Sequence, residues 1–209
     1  MFLRLTDLRG FEEAMMDFAE QAPELDRMIG IVRDYNIRQV HIALKNAEPA
    51  PQVIGFGDDL GMQHALPISP ALWRHYLKPA FKAIYDPVKA AGHWVYMHTD
   101  GCIWEIVPDL ADCGVDILNP QFRANGMDKL KEMVDSGRLT LNLDLDRQMF
   151  PFATAAQLEA HVRDIVMTLA DAAGGLWLQV EIGPDMPLAS MDALFTALTR
   201  YRDLKKYHR

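Results

Sequence analysis

Cysteine is scarce in this 209-residue sequence, which contains only Cys102 and Cys113. Two cysteines cannot build the disulfide framework of a small secreted domain, so we expect two free thiols in a reducing, cytoplasmic compartment. Long apolar runs are also missing, because no stretch reaches the roughly 18 apolar residues that a membrane span needs. Polar residues interrupt the opening segment MFLRLTDLRGFEEAMMDF, which excludes the apolar core of a secretory signal peptide.

Positive charge is scarce as well. The sequence has 21 Lys and Arg residues against 29 Asp and Glu residues, with a net charge of -8 and a pI near 5.3. Nucleic acids and anionic membrane surfaces bind to cationic faces, so this balance argues against both as partners and favours a small-molecule substrate. Half of the residues are apolar, and the chain is long enough for one sizeable core, so we predict a single domain over residues 1–209.

Five short apolar segments alternate with helical segments and predict an α/β fold. The expected strands are QVIGF, HWVYM, VDIL, LTLNL and GLWLQV. Two amphipathic helices are expected between Gly10 and Leu44, and later helices in SPALWRHYLKPAFKAIYDPVKAAG, CIWEIVPDLADCG, MDKLKEMVDSG, TAAQLEAHVRDIVMTLADAAG and SMDALFTALTRYRDLKKY. Thr154 and Gly174 are expected to cap the fourth of these. Such alternation is typical of a parallel sheet covered by helices, of which the TIM-type barrel is one form.

Polar side chains follow each predicted strand at its C-terminal end. In a barrel of parallel strands these ends meet at one mouth, where active sites lie. The residues concerned are Asp58, Asp59, His98, Asp100, Asn119, Asp144, Asp146 and Glu181. Asp and Asn also cap helices in such loops, and we expect Asp146 in particular to do so.

The segments GDDLGMQ, ISPALWRHYLKPAFKAIYDPVKAAG, VYMHTDG and IVPDLADCGVDILNPQ occur in an order that closely resembles the uroporphyrinogen decarboxylase (URO-D)-like superfamily. The resemblance extends from about Gly10 to Tyr201. It implies the C-terminal portion of a TIM-type (β/α)8 barrel, here a partial barrel of about five parallel strands. The details are closer to the cobalamin-dependent methyltransferase branch, in which a methyl group moves between a small donor and the corrinoid of a partner protein.

The same resemblance raises the question of zinc. Many members of that branch bind zinc through a His-x-Cys pair and a cysteine on the last strand. Here the pair reads His98-Thr99-Asp100, and the last cysteine position falls on Val180, which cannot bind a metal. His98 and Asp100 share one face of an extended strand, so these two residues are the predicted metal ligands. Cys102 is expected to begin a helix as a buried thiol.

The predicted catalytic residues are Asp58, Asp59, His98 and Asp100. Repulsion between two adjacent carboxylates raises the pKa of at least one of them. Asp58 or Asp59 can therefore hold a proton near neutral pH and donate it. In the alternative arrangement, Asp59 caps the next turn and Asp58 alone faces the pocket. His98, oriented by Asp100, is a candidate general acid or base. The predicted substrate-binding residues are Gln63, Asn119, Gln121, Asp144 and Glu181.

The predicted strands are too few for a complete barrel, and an open parallel sheet exposes apolar edges. Three explanations are therefore kept: a truncated gene product, a split enzyme completed by a second chain, and a homo-oligomer that closes the sheet.

Three functions are weighed on this basis. The leading hypothesis is a corrinoid-dependent methyltransferase or demethylase that acts on a small methylated donor. The second is a cofactor-free decarboxylase of a porphyrinogen or related acid, which would need several arginines at the mouth, whereas Arg123 is the only strand-end candidate. The third is a non-catalytic fragment or subunit that completes a partner barrel.

Overall fold

The computed structural model describes residues 1–170 and 174–203. These residues contain five parallel strands whose order in the sheet is their order in the chain. They are β1 (Val53–Asp58), β2 (Trp94–Thr99), β3 (Ile117–Pro120), β4 (Thr140–Asp144) and β5 (Leu176–Gln179). The predicted α/β fold, a partial barrel of parallel strands with covering helices, is confirmed.

Helices precede, separate and follow the strands. The α-helices are α1 (Phe2–Arg9), α2 (Phe11–Glu20), α3 (Leu25–Asn46), α4 (Pro70–Leu72), α5 (Lys78–Ala90), α6 (Val107–Cys113), α7 (Phe122–Asp135), α8 (Ala155–Leu169) and α9 (Leu188–Tyr201). A π-helical turn, Trp73–Leu77, joins α4 to α5, and 3-10 turns lie at Trp104–Ile106 and Arg147–Met149. None of the described helices combines the length and apolar composition that crossing a bilayer requires.

The chain divides into two compact units, Met1–Asn119 and Pro120–Arg209, and the single domain stays a prediction. In the first unit, β1 pairs with β2 in parallel. Along β2 the buried residues Met97 and Thr99 alternate with Tyr96 and His98, which are only partly buried. Successive side chains of a strand point to opposite faces, so β2 has one face covered by helices and one more open face that carries His98.

Helix α5 covers the buried face of β2, and it packs against α3 and α6 as well. Its buried residues recur every three or four positions, which places them on one side of the helix. They are Ala80, Phe81, Ile84, Tyr85 and Val88. The Tyr85 hydroxyl donates a hydrogen bond to the Met97 sulfur at 3.2 Å. Burial of each large side chain of this set stabilises the unit by about 2 kcal/mol.

In the second unit, β4 pairs with β5 in parallel, and helices α8 and α9 pack against each other. Helix α8 begins with a capping box, as the sequence predicts. The Thr154 hydroxyl accepts a hydrogen bond from the Gln157 backbone N–H, and the Gln157 side chain accepts one from the Thr154 N–H. These bonds satisfy backbone donors that a helix N-terminus leaves without partners.

Several helix boundaries differ from the predictions. Helix α1 is not predicted at all, because its mixture of Leu, Arg, Thr and Asp has weak amphipathic periodicity. Helix structure after β2 begins at Trp104 instead of Cys102, since Gly101 with φ of 82° turns the chain first. Helix α8 ends at Leu169, before Gly174. Parts of the predicted segments, at residues 171–173 and 204–209, lie outside the described residues.

We predict that Thr154→Ala lowers the free energy of unfolding by about 1 kcal/mol, because the helix loses its N-terminal acceptor. Thr196→Ala is the matched control, since Thr196 is exposed within α9 and alanine is the better helix former. Urea unfolding followed by circular dichroism measures both. Equal stability of Thr154→Ala and the wild type would show that the capping box contributes nothing.

Candidate active site

The loops that leave β1 and β2 meet backbone to backbone at Gly61 and Gly101. A Cβ atom placed on Gly101 would lie 2.1 Å from the Gly61 carbonyl carbon, and one on Gly61 would lie 2.6 Å from the Cys102 nitrogen. No real Cβ approaches other atoms so closely. Gly101 also has φ of 82°, in the left-handed region that favours glycine. Only glycine at both positions permits this junction.

Hydrogen bonds continue from the paired strands into the junction. The Leu60 N–H donates to the hydroxyl oxygen of Thr99, which is fully buried, at 3.0 Å. The Gly61 N–H donates to the Asp100 carbonyl at 3.1 Å. In the next step the Cys102 N–H donates to the Met62 carbonyl at 2.7 Å. The loop residues Asp59 and Asp100 therefore extend from a backbone that is held on both sides.

Asp58 lies at the end of β1 on the face covered by helices, as its buried neighbour Thr99 does in the register of the two strands. Its carboxylate accepts hydrogen bonds from the backbone N–H groups of Phe2 and Leu3 at 2.6 and 2.5 Å, and the Met1 amino group lies 2.5 Å away. Asp58 thus binds the first turn of α1, where the helix dipole favours a negative charge.

Asp59 is the exposed carboxylate of the pair. Burial of part of its carboxyl group raises the pKa of Asp59, and the negative charges of Asp100 and Asp58 raise it further, whereas His98 lowers it. The alternative in which Asp58 alone faces the pocket does not hold, because Asp58 is turned toward α1. Of the two adjacent aspartates, Asp59 is therefore the one that holds its proton more readily than an ordinary aspartate.

His98 lies on the open face of β2 and is held by Asn119 at the end of β3. The His98 Nδ1 atom is 2.6 Å from the Asn119 side-chain oxygen. An amide oxygen only accepts, so this contact requires a proton on Nδ1 and leaves Nε2 as the acceptor of the neutral ring. The Nε2 atom is 4.0 Å from the Asp100 carboxylate, which is too long for a hydrogen bond. Asn119 therefore orients His98, a role predicted for Asp100.

The donor set around His98 and Asp100 does not fit a closed zinc site. Structural zinc has four ligands and catalytic zinc at least three from the protein. Among residues 1–170 and 174–203, no three His, Cys, Asp or Glu side chains are grouped so as to hold a metal ion. Val180 follows directly after β5 and offers no ligand atom.

The cysteines are buried free thiols, as predicted. Burial raises the pKa of Cys102, and burial raises the pKa of Cys113 to about 11. A thiol binds metals and attacks electrophiles as the thiolate, which both environments disfavour.

The strand-end carboxylates of the second unit form polar contacts within that unit. Asp144 accepts a hydrogen bond from the Gln179 side chain at 2.6 Å, and Glu181 forms an ion pair with Arg147 at 2.6 Å. The predicted substrate-binding roles of Asp144 and Glu181 stay predictions.

Two glutamines complete the predicted set. Gln63 is exposed in the loop after β1, two residues beyond Gly61. Gln121 precedes α7, and its carbonyl accepts a hydrogen bond from the Asn125 side chain at 2.9 Å. Their predicted substrate contacts also stay predictions.

Asp146 caps a helical turn, as predicted, because its carboxylate accepts a hydrogen bond from the Gln148 N–H at 3.2 Å. It also forms an ion pair with Arg123 at 2.7 Å. The Asp146 N–H donates to His161 Nε2 at 3.1 Å, a contact with no sequence signal because fifteen positions separate the two residues. Burial lowers the pKa of His161, so the neutral ring that accepts this bond is favoured.

Comparison with known proteins identifies the family of this chain. A family model described as uroporphyrinogen decarboxylase (URO-D) matches residues 5–201, which is nearly the whole chain. The chain belongs to the URO-D family. The predicted resemblance is thereby confirmed at the level of the family. No curated protein matches this chain significantly.

Solved structures show a weaker likeness to this chain. A 7,8-dihydropteroate synthase from Vibrio fischeri ES114 is 17% identical with a TM-score of 0.47, over 79% of this chain and 63% of that one. A dihydropteroate synthase from Yersinia pestis, solved with a pterine-sulfa conjugate, is 17% identical with a TM-score of 0.46, over 88% and 65%. The chain spans less than two thirds of the length of either structure.

We predict that Gly101→Ala lowers the free energy of unfolding by about 3 kcal/mol or more, through backbone strain and a clash with Gly61. Gly57→Ala is the matched control, because a Cβ on Gly57 meets no atom within 4 Å. Chemical denaturation measures both variants. Equal effects of the two substitutions would contradict the close approach of the loops.

We predict that His161 makes stability pH-dependent. A histidine whose folded pKa is lowered contributes stability above its ordinary pKa of 6.5, and this contribution is lost as the pH falls. Between about pH 8 and pH 5 the wild type should therefore lose more stability than His161→Gln. Replacement of the exposed His64 by glutamine should leave the wild-type profile unchanged. Parallel profiles for the wild type and His161→Gln would refute the prediction.

Proposed function

We propose that this URO-D family chain provides the proton-transfer residues of a methyl-transfer site that acts on a small methylated donor. The observation that carries the proposal is the loop junction at Gly61 and Gly101, which holds Asp59 and Asp100 near His98. Partial burial and the neighbouring carboxylates raise the pKa of Asp59 there. Asp59 is the proton donor, and His98 offers Nε2 as an acceptor that can orient the donor. Asp58 keeps a positioning role, since its carboxylate binds the first turn of α1.

A proton donor suits demethylation for a simple chemical reason. When a methyl group leaves oxygen or nitrogen, the bonding electron pair stays on that heteroatom, which becomes a poor, basic leaving group unless it receives a proton. Asp59 gives that proton and ends as the carboxylate. General acid catalysis of this kind contributes about 100-fold to 10,000-fold in rate. The corrinoid of a partner protein would supply the methyl acceptor.

Charge favours methyl transfer over decarboxylation of a polycarboxylate. The charges that shift the pKa of Asp59 are those of Asp100, Asp58 and His98. A substrate with several carboxylates would be repelled here. Arg123, the only arginine predicted at a strand end, is engaged by Asp146. A neutral donor, such as a methyl ether or an unprotonated methylamine, fits this environment better.

The partners belong to the same proposal. A corrinoid protein is the expected methyl acceptor, and a second chain or a further copy of this one would close the open sheet. The chain spans less than two thirds of the structures that it matches, so the activity of the whole protein is proposed for the assembled site.

The test is an anaerobic assay with reduced corrinoid protein and a panel of methoxylated and methylamine donors. Demethylated product is quantified by mass spectrometry. We predict that Asp59→Asn lowers the rate by about 100-fold or more, because asparagine has no proton to give. Asp128→Asn, on the exposed side of α7, is the matched control and should keep the wild-type rate.

Each alternative function has its own outcome. Equal rates for Asp59→Asn and the wild type would remove Asp59 from the chemistry. Release of carbon dioxide from a porphyrinogen without corrinoid would favour decarboxylation. Binding of the corrinoid protein without turnover of any donor would favour the non-catalytic subunit.

A further inference from the structure

We infer that Asn119 is a positioning residue that locks the Nδ1–H tautomer of His98 and thereby keeps Nε2 as the hydrogen-bond acceptor of the ring. This inference rests on the proposed function for its catalytic consequence, but the tautomer itself is a property of the chain alone. Its basis is the 2.6 Å contact between His98 Nδ1 and the Asn119 side-chain oxygen.

Burial makes Asn119 suitable as a lock. The residue is 2% exposed at the end of β3, whereas the His98 side chain is 42% exposed. A buried amide has little freedom to turn, and a polar group so deep in the protein needs its hydrogen bonds. The imidazole, by contrast, is free to populate both neutral tautomers in water. The more rigid partner therefore dictates the tautomer of the more exposed ring.

The Asn119 amide fixes the tautomer of His98 without carrying a charge. A carboxylate in the same position would fix the same tautomer, but its negative charge would stabilise the imidazolium form. An amide oxygen accepts the Nδ1–H bond without this bias. Asp100 is too far from Nε2 to replace it, at 4.0 Å. The pair therefore keeps Nε2 available as a lone-pair acceptor on the open face of β2.

The residues of β1 that neighbour this face of β2 are glycines. In the strand register Gly57 lies beside His98, and Gly55 lies beside Tyr96. A Cβ on Gly57 would meet no atom within 4 Å, so the neighbouring strand places no side chain over the imidazole. The position of β1 that lies beside His98 in the register is therefore open.

The test is proton–nitrogen NMR of protein labelled at histidine, which distinguishes protonated from unprotonated ring nitrogens without any substrate. The His98 signals are assigned by their loss in His98→Gln. We expect Nδ1–H in the wild type. A wild-type ring protonated on Nε2 would overturn the inference, since it would mean that the Asn119 amide donates to Nδ1.

Two variants sharpen this test. Asn119→Leu should give a mixture of tautomers, and an unchanged Nδ1–H form in a folded Asn119→Leu protein would contradict the lock. Asn119→Asp should keep Nδ1–H, because a carboxylate oxygen accepts the same hydrogen bond. A merely structural role for Asn119 predicts no difference between the two variants, so a mixture of tautomers in Asn119→Asp would also count against the inference.

The outcomes separate this inference from the proposed function. If Nδ1–H is found but no donor is demethylated, the lock stands and the methyl-transfer proposal fails. If demethylation depends on Asp59 while the His98 ring is protonated on Nε2, the proposed function stands and the lock fails.

Discussion

Where the loops after β1 and β2 cross, the backbone of Gly61 lies directly against that of Gly101, and neither residue has room for a side chain. The rest of the candidate site depends on this approach. It brings the Asp100 carbonyl to the Gly61 N–H and keeps the buried Thr99 hydroxyl against the Leu60 N–H. With both loops anchored in this way, their acidic side chains are held near each other although mutual repulsion would separate them.

That repulsion has different consequences for the two adjacent aspartates. The Asp58 carboxylate accepts hydrogen bonds from the first backbone N–H groups of α1, so its role is structural. Asp59 has no such stabilisation from a helix and is shielded from part of the solvent, which raises its pKa. The structural carboxylate of Asp58 thus helps to raise the pKa of Asp59. His98 adds an acceptor whose orientation comes from an uncharged amide.

Sequence periodicity predicts the strands, their polar C-terminal ends and the Thr154 cap, because these depend on neighbouring residues along the chain. The division of labour between Asp58 and Asp59 is partly readable too. Residues two positions apart share a face of a strand, so Asp58 lies on the same helix-covered face as the apolar Phe56. The prediction for Asp58 and Asp59 does not use this signal. The Asn119 contact is harder, since it requires knowing that β2 and β3 bring residues 98 and 119 side by side. Asp100 is nearer to His98 in the sequence, so the sequence alone favours Asp100 as the residue that orients the ring.

The loop junction makes Asp59 a weaker acid through shielding and the charge of Asp100. The most direct measurement is the titration of the Asp59 carboxyl carbon by NMR in the wild type and in Asp100→Asn. We predict a midpoint above the ordinary value of 3.8 in the wild type and a lower midpoint in the variant. A wild-type midpoint at or below 3.8, or one that Asp100→Asn leaves unchanged, would contradict the account.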